Sequence, residues 1–253
     1  MTNPVFLADQ VPATAGTFTL SGAEGHHAHV MRLAPGDPID VVDGRGTRLR
    51  GRVAEVTADG VRIDVESVTR EEDAAELILA QALAKGGRDE EAIAMATEVG
   101  VDVVVPWQAE RSIAQWPAAK AGRAAAKWES VLRAAAKQAR RSRVPRLLPL
   151  HDSTELAALA AEVVAGGGTV LVLHADARLS LADAVPAAGR VLVVVGPEGG
   201  LTARELARLT AAGGMAVLAG PHVMRSGTAG PVALSHVARG VGRWSPTGAG
   251  ERA

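Results

Sequence analysis

The chain has 253 residues, 47% hydrophobic, with 27 basic and 28 acidic side chains, a formal net charge of −1 and no cysteine. That length supports one large or two smaller domains with sizeable cores, and the missing cysteine excludes disulfides and thiolate metal sites. A near-neutral total excludes a uniformly basic nucleic-acid binder, so any basic patch must be local, and two Phe, four Trp and no Tyr exclude extensive base stacking. There is neither a basic-then-apolar leader nor an apolar run of membrane length, so a soluble, cytoplasmic protein with no membrane partner is expected.

Short strands are expected at residues 4–7, 17–20 and 38–42, the last ending at the turn Asp43-Gly44-Arg45-Gly46. Residues 47–56 alternate and face residues 61–68 across Ala58-Asp59-Gly60, a hairpin signal with Asp-Gly at its tip. Residues 23–33 read as one helix. Together these predict a small β-barrel domain over residues 1–70. The helix carries His26-His27-Ala28-His29 with Arg32 one turn on. No carboxylate or thiolate pattern completes a metal site there, so no metal is expected. Positions 26 and 29 share a helix face while 27 points elsewhere, which fits a polar helix packing on its domain as well as a direct role.

Residues 69–73 form a charged link, and beyond it strands alternate with helices, the mark of a parallel α/β sheet over residues 74–244. A strand at 77–83, a turn at 85–87, a helix at 88–99 closed by Gly100 and a strand at 101–106 are expected. Glu98 sits at the wrong end of the helix dipole, so it has either a partner such as Arg111 or only solvent. Residues 117–143 form a basic helix: Lys120, Arg123, Lys127, Arg133, Lys137, Arg140, Arg141 and Arg143 stand against the single acid Glu129, with Trp128, Val131, Leu132 and Ala135 as an apolar stripe. Like charges at that density repel one another, and an RNA phosphate backbone relieves the repulsion. A merely solvated face is the alternative.

A helix at 151–165, the run Gly166-Gly167-Gly168 and a strand at 169–173 follow, and that strand ends in a loop at Leu173, His174, Ala175 and Asp176. His174 is a pocket-lining candidate; as a strand-end histidine it equally suits a structural hydrogen bond. Residues 190–195 are a strand buried on both faces, Gly196-Pro197-Glu198-Gly199-Gly200 a loop, and Thr202 with Glu205 a capping box that starts a helix. The unit repeats as a strand at 215–218, a loop at 219–227 and a helix at 228–239. Residues 245–253 are polar, Pro- and Gly-containing, and read as a disordered tail. Strand ends feeding helix N-termini form a crevice of exposed backbone N–H groups. GPEGGLT matches neither the G-x-G-x-x-G nor the G-x-x-x-x-G-K-[ST] phosphate loop, and no lysine lies close to the three loops.

GPEGGLTARE followed by LAGPHVMRSGTA, with HHAHVMRL, ATEVGVDVVVPWQAERS and KQARRSRVP in the same order along the chain, resembles the 16S ribosomal RNA uridine-N3 methyltransferase family of SPOUT-class enzymes. The resemblance implies a PUA-like RNA-binding domain, a parallel sheet closed by a deep trefoil knot, a homodimer whose pocket lies against the neighbouring subunit, and S-adenosylmethionine as cofactor. That cofactor carries no phosphate, which agrees with the missing lysine. The cofactor-binding candidates are Leu173 and His174 in one loop, Gly196, Pro197, Glu198, Gly199 and Gly200 in the next, Leu218, Gly220, Pro221, Val223, Met224 and Arg225 in the third, and Thr228 and Ala229 in the helix that follows. The RNA-binding candidates are His26, His27 and Arg32, then Arg111, Lys137, Gln138, Arg140 and Arg141; Gln138 and Arg141 match a Gln-x-x-Arg pattern, and Arg140 replaces a smaller residue.

The implied reaction is methyl transfer to N3 of a uridine in small-subunit ribosomal RNA, either naked or in the assembled 30S subunit. Arg225 is the catalytic candidate, a cation for the charge that spreads over the uracil carbonyls; holding loop carbonyls is its other reading. One departure stands out: the family has Arg-Thr-Glu-Thr where this chain has Arg225-Ser226-Gly227-Thr228. The base is therefore unassigned, with Glu198 a candidate. A ribosome-binding relative without catalysis is the alternative function, and a nucleotide-dependent oxidoreductase has only the α/β pattern behind it.

Overall fold

Alternating apolar residues in the N-terminal part build a five-stranded sheet in the computed structural model, which describes residues 3–71 and 75–244. Its elements are β1 (Val5–Leu7), β2 (Gly16–Ser21), α1 (Gly22–Val30), β3 (Pro38–Val42), β4 (Thr47–Thr57) and β5 (Gly60–Arg70). The hydrogen-bonded order is β1-β3-β4-β5-β2, with only the β1–β3 pair parallel. The order ends at β1 and β2, with no hydrogen-bonded pair between those two strands among the described residues. Phe6, Leu20, Ile39, Leu49 and Ile63, all essentially inaccessible, fill its core. At the hairpin tip Gly60 has φ +152°, and a Cβ there would meet the Leu20 carbonyl oxygen at 2.0 Å, so the turn admits no side chain. Helix α1 stops earlier than expected because Arg32 takes φ 58°, which a right-handed helix cannot continue.

The described residues divide into two units, one from Met1–Glu72 with Ala136–Val144 and the other from Asp73–Ala135 with Pro145–Ala253. The first unit therefore takes in residues 136–144 beside the N-terminal stretch expected to end at residue 70. The physical reason is local: Lys137 Nζ donates to Glu24 at 2.7 Å, the Val144 N–H to Gly44 at 2.9 Å, and Arg143 to the carbonyls of Arg45 and Glu71.

The second unit contains β6 (Ala75–Ala82), α2 (Arg88–Val99), β7 (Val103–Gln108), α3 (Ala118–Gln138, whose last turn belongs to the first unit), β8 (Arg146–Leu147), β9 (His151–Asp152) and α4 (Ser153–Ala165). It continues with β10 (Thr169–Leu173), β11 (Leu179–Ser180), α5 (Leu181–Ala184), β12 (Gly189–Val195), α6 (Ala203–Ala211), β13 (Met215–Leu218) and α7 (Ser226–Gly240). All its strand pairs are parallel, in the order β11-β13-β10-β12-β6-β7-β8, with β9 beside β7. Such a sheet must be covered on both faces. Leu156, Ala160 and Val163 of α4 and Leu209 of α6 cover Ile78, Ala80, Leu192 and Val194, whereas α2 and α7 pack on the opposite side. Gly230 makes the second contact close, since a Cβ there would lie 3.1 Å from Leu79 Cδ1.

Strand β7 starts two residues later than expected because Val101 still donates to Ala96 in the helix closure and Asp102 turns its carboxylate to the Leu77 N–H. Helix α3 ends at Gln138, before Arg140 at φ 56°. No described helix is long and apolar enough to cross a membrane. The tail expected at residues 245–253 lies outside the described residues, as does most of the charged link.

Candidate functional site

Parallel pairing brings the C-terminal ends of the central strands to one edge: Val195 stands beside Gln81, Leu173 beside Val217 and Ala82 beside Trp107. The loops after β10, β12 and β13 therefore leave the sheet together, where a doubly wound fold binds its ligands. The loop after β12 is held from beneath. Trp107, fully buried, donates its indole N–H to the Val195 carbonyl at 3.0 Å. Arg111 donates to the Gly199 carbonyl at 3.0 Å, and a Cβ on Gly199 would meet Arg111 Cβ at 3.1 Å. Any side chain at 199 would press on Arg111 where the loop approaches it. On the open side, nothing lies within 4 Å of where a Cβ would stand on Gly200 or Gly220.

Glu205, 1% exposed, joins three segments. Its Oε1 accepts from the Glu110 N–H at 2.8 Å and from the Ser153 hydroxyl at 2.7 Å, while Oε2 accepts from the Thr202 N–H at 2.9 Å and closes the capping box of α6. Burial pushes its carboxyl up, but hydrogen bonds from Thr202, Glu110 and Ser153 outweigh burial and hold it below the usual value. The capping box was readable in the sequence. The links to Ser153 and Glu110, made across 52 and 95 residues, carried no local signal.

Glu198, the candidate base, is exposed and pairs with Arg88 at 3.4 Å, across from the start of α2. His174 Nδ1 accepts the Asp176 N–H at 3.2 Å, the structural role open to a strand-end histidine. In the loop after β13, Val223 is 88% exposed, Leu218, Gly220 and Met224 are half-buried, and Pro221 and Arg225 are exposed. Arg225 occupies the N-cap position of α7, and its guanidinium has no hydrogen bond or ion pair among the described residues. Gly227 is buried, and a Cβ on it would lie 3.0 Å from the Arg88 carbonyl oxygen. Bare backbone thus lets α7 and the start of α2 approach each other closely. Thr228 is exposed and Ala229 half-buried in the first turn of that helix.

The basic residues are less available than composition suggests. Lys137 is committed to Glu24 and lies 6.0 Å from the Phe6 ring centroid; Lys127 pairs with Glu90 at 2.6 Å. Arg140 is exposed, and its carbonyl accepts from Arg48; Gln138 is exposed and Arg141 half-buried. Arg111 is exposed and braces Gly199 rather than pairing with Glu98, which is exposed with no partner among the described residues. His27 meets Phe6 edge-on at 5.7 Å, His29 reaches the Gly60 carbonyl, and His26 and Arg32 are exposed. On α3, Lys120, Arg123 and Arg133 are exposed, and their side chains make no hydrogen bond or ion pair among the described residues. No group of three or more potential metal ligands occurs among those residues.

The edge suits an organic ligand that is neutral over most of its surface: open glycine backbone, apolar Leu218, Val223 and Met224, one unengaged guanidinium and no ammonium clamp. S-adenosylmethionine, with its purine, ribose and amino-acid ends, meets those terms.

Comparison with known proteins gives two family matches: an RNA methyltransferase domain over residues 71–238 and an RNA methyltransferase PUA domain over residues 20–66. A protein named ribosomal RNA small subunit methyltransferase E from Mycobacterium bovis is 39% identical over 245 residues, covering 95% of this chain and 93% of its own. Its namesake from Bacillus subtilis is 32% identical over 238 residues, covering 91% and 93%. The crystal structure of a ribosomal RNA small subunit methyltransferase E from Neisseria gonorrhoeae bound to S-adenosyl methionine matches with a TM-score of 0.82 at 25% identity, over 94% of this chain and 98% of that one.

Proposed function

Because the chain belongs to the RNA methyltransferase family that contains the ribosomal RNA small subunit methyltransferase E proteins, we propose that it methylates N3 of a uridine in small-subunit ribosomal RNA with S-adenosylmethionine. The observation that carries this reading is the edge of open glycine backbone and apolar side chains at the ends of β10, β12 and β13, with Arg225 standing unengaged beside it. When bound, the cofactor supplies a methyl group on a sulfonium, ready for a nucleophile. Leu218, Val223 and Met224 flank its apolar parts, the main chain of residues 196–200 and 219–221 offers hydrogen bonds, and Trp107, Arg111 and Glu205 hold that main chain in place.

Uracil N3 becomes nucleophilic only when its proton leaves, and the negative charge then spreads over the two flanking carbonyls. Arg225 is the cation available to offset that charge, by the logic of an oxyanion hole. Glu198 is engaged by Arg88 at 3.4 Å, so proton removal is left to solvent or to RNA-bound water. We also read the return of α7 from β13 to α2, β6 and β12 as the thread of a deep trefoil knot, and the protein as a cytosolic homodimer acting on naked RNA or on the 30S subunit.

The test is transfer of labelled methyl to small-subunit RNA from a strain lacking the gene, followed by nucleoside mass spectrometry. The expected product is 3-methyluridine, abolished in Arg225→Ala. RNA binding without any transfer would overturn the enzymatic reading in favour of a binding protein, the outcome that the missing glutamate at Gly227 would favour.

A further inference from the structure

Strand β6 lies beside β12 on the side away from β10, with Gln81 opposite Val195, so the loop that follows β6 leaves the sheet at the same edge as the glycine loop. This fourth loop, residues 83–87, runs into α2 at Arg88, and the methyl-transfer chemistry makes no use of it. Two contacts put it at the rim of the site. Arg88 pairs with Glu198 of the glycine loop at 3.4 Å, and the Arg88 carbonyl oxygen lies 3.0 Å from where a Cβ would stand on Gly227, two residues after Arg225. Another contact leads outward: a Cβ on Gly87 would lie 3.9 Å from Glu90 Oε2, and the same carboxylate takes Lys127 of α3 at 2.6 Å. Lys120 and Arg123 precede Lys127 by two turns and one turn of α3, so the three share a helix face. A chain of contacts therefore runs from that cationic face, through the loop, to the segment that bears Arg225.

The loop is open to a large ligand. Lys85 and Gly86 are exposed, and nothing lies within 4 Å of where a Cβ would stand on Gly86. Gly86 and Gly87 take φ of +69° and +77°, a left-handed pair that leaves bare backbone on the outside of the turn. The Lys85 ammonium makes no hydrogen bond or ion pair among the described residues. Acids stand nearby, but two of those that open α2 are already spent. Asp89 is buried and accepts the N–H groups of Ala84 and Glu90, and Glu90 is held by Lys127. Glu91, the fourth residue of the helix, is exposed without a partner among the described residues. Lys85 thus stands at the rim as a cation with no bonded counterion, as Arg225 does on the segment across from it.

A base that enters such a site brings its backbone with it. For uridine N3 to meet a methyl donor at the glycine loop, the nucleotide has to leave its neighbours, and the phosphodiesters on either side of it then rest at the rim of the pocket. Each carries a negative charge that a lysine neutralises with release of a counterion. We infer that the loop Lys85-Gly86-Gly87 seats a phosphodiester flanking the target uridine, the Lys85 ammonium on the phosphate oxygens and the bare glycines letting the strand pass close. Arg225 remains the cation for the base, so the two unengaged charges serve different parts of one nucleotide. The inference rests on the reading of the protein as an RNA methyltransferase and adds a backbone contact to that substrate.

The experiment ethylates small-subunit RNA, from the strain lacking the gene, sparsely on its phosphates, which removes their charge, and compares the RNA that full-length protein binds with the RNA it rejects. Wild-type protein is expected to reject RNA ethylated at a phosphate next to the uridine that it methylates. Lys85→Gln should lose the discrimination at that phosphate and keep it at others, with the slope of log K against log salt reduced by about 0.7 and KM for the RNA raised about tenfold. Lys85→Arg keeps the charge and should restore both. Because Lys85 is exposed, the melting temperature of either variant should stay within about 2 °C of the wild type. The carboxylate of S-adenosylmethionine is the other anion this ammonium could serve, and calorimetry with the cofactor separates the two. Unchanged cofactor affinity in Lys85→Gln is expected; weakened cofactor binding with an unaltered ethylation pattern would overturn the inference, as would a pattern and salt slope identical in the wild type and Lys85→Gln. Methyl transfer by the wild-type protein is read first, so either failure with transfer intact leaves the proposed function standing, whereas no transfer by the wild type removes both.

Discussion

At the scale of the residue, Glu205 shows how one buried charge can organise a loop cluster. Two carboxylate oxygens accept three hydrogen bonds from three segments, and the site tolerates ionisation because those donors replace water. Glu205→Gln keeps the shape but turns an amide NH₂ toward an existing donor, at a cost of about 2 kcal/mol, or a melting temperature lowered by roughly 4 to 8 °C for a chain of this size. The folded carboxyl titrates below its ordinary 4.5, so its stabilisation is complete above that pH and is lost as pH falls through the lower, folded value. Thermal melts of the two proteins should therefore differ most at neutral pH and converge in acid; a gap that widens in acid would contradict this. Gly227 gives a second case. Ala at 227 would press its Cβ on the Arg88 carbonyl at 3.0 Å, and denaturant titration is expected to show a loss of about 1 to 3 kcal/mol.

At the scale of the element, the sequence is legible where its signal is local. The capping box at Thr202 and Glu205, the glycine closing α2 and the strand Met215–Leu218 all depend on neighbours within a few residues. The two-residue strands β8, β9 and β11 are too short for any periodicity, and their pairing is set by β7 and β13. The basic helix was legible as a helix but not in its charge pairing. Lys137 and Lys127 find Glu24 and Glu90 across 113 and 37 residues, contacts that only the fold creates. Arg111 teaches the same lesson, since its role at Gly199 spans 88 residues. Replacing it with alanine frees the glycine loop, and calorimetry should find S-adenosylmethionine bound about tenfold more weakly, or about 1.4 kcal/mol, with the melting temperature changed by less than about 2 °C. Unchanged affinity would remove Arg111 from the support of the site.

At the scale of the whole molecule, the parallel α/β class of the second unit was readable because strands alternate with helices, whereas the order of the strands was not. Assignment of Ala136–Val144 to the first unit was not, since helical periodicity runs through the division without a break. The net charge of −1 conceals local cations whose contribution to RNA binding can be counted. Joint replacement of Lys120, Arg123 and Arg133 by glutamine should lower affinity for ribosomal RNA and reduce the slope of log K against log salt by roughly 2, at about 0.7 per contact on single strands. An unchanged slope would place the phosphate contacts elsewhere.

The central claim is that the edge formed by the ends of β10, β12 and β13 binds S-adenosylmethionine through open backbone and apolar side chains. Isothermal titration calorimetry of folded wild-type protein with this compound tests it most directly. The expected result is saturable heat at one site per chain, competed by S-adenosylhomocysteine and not by a dinucleotide; a folded protein that gives no heat with either sulfur compound would contradict the account.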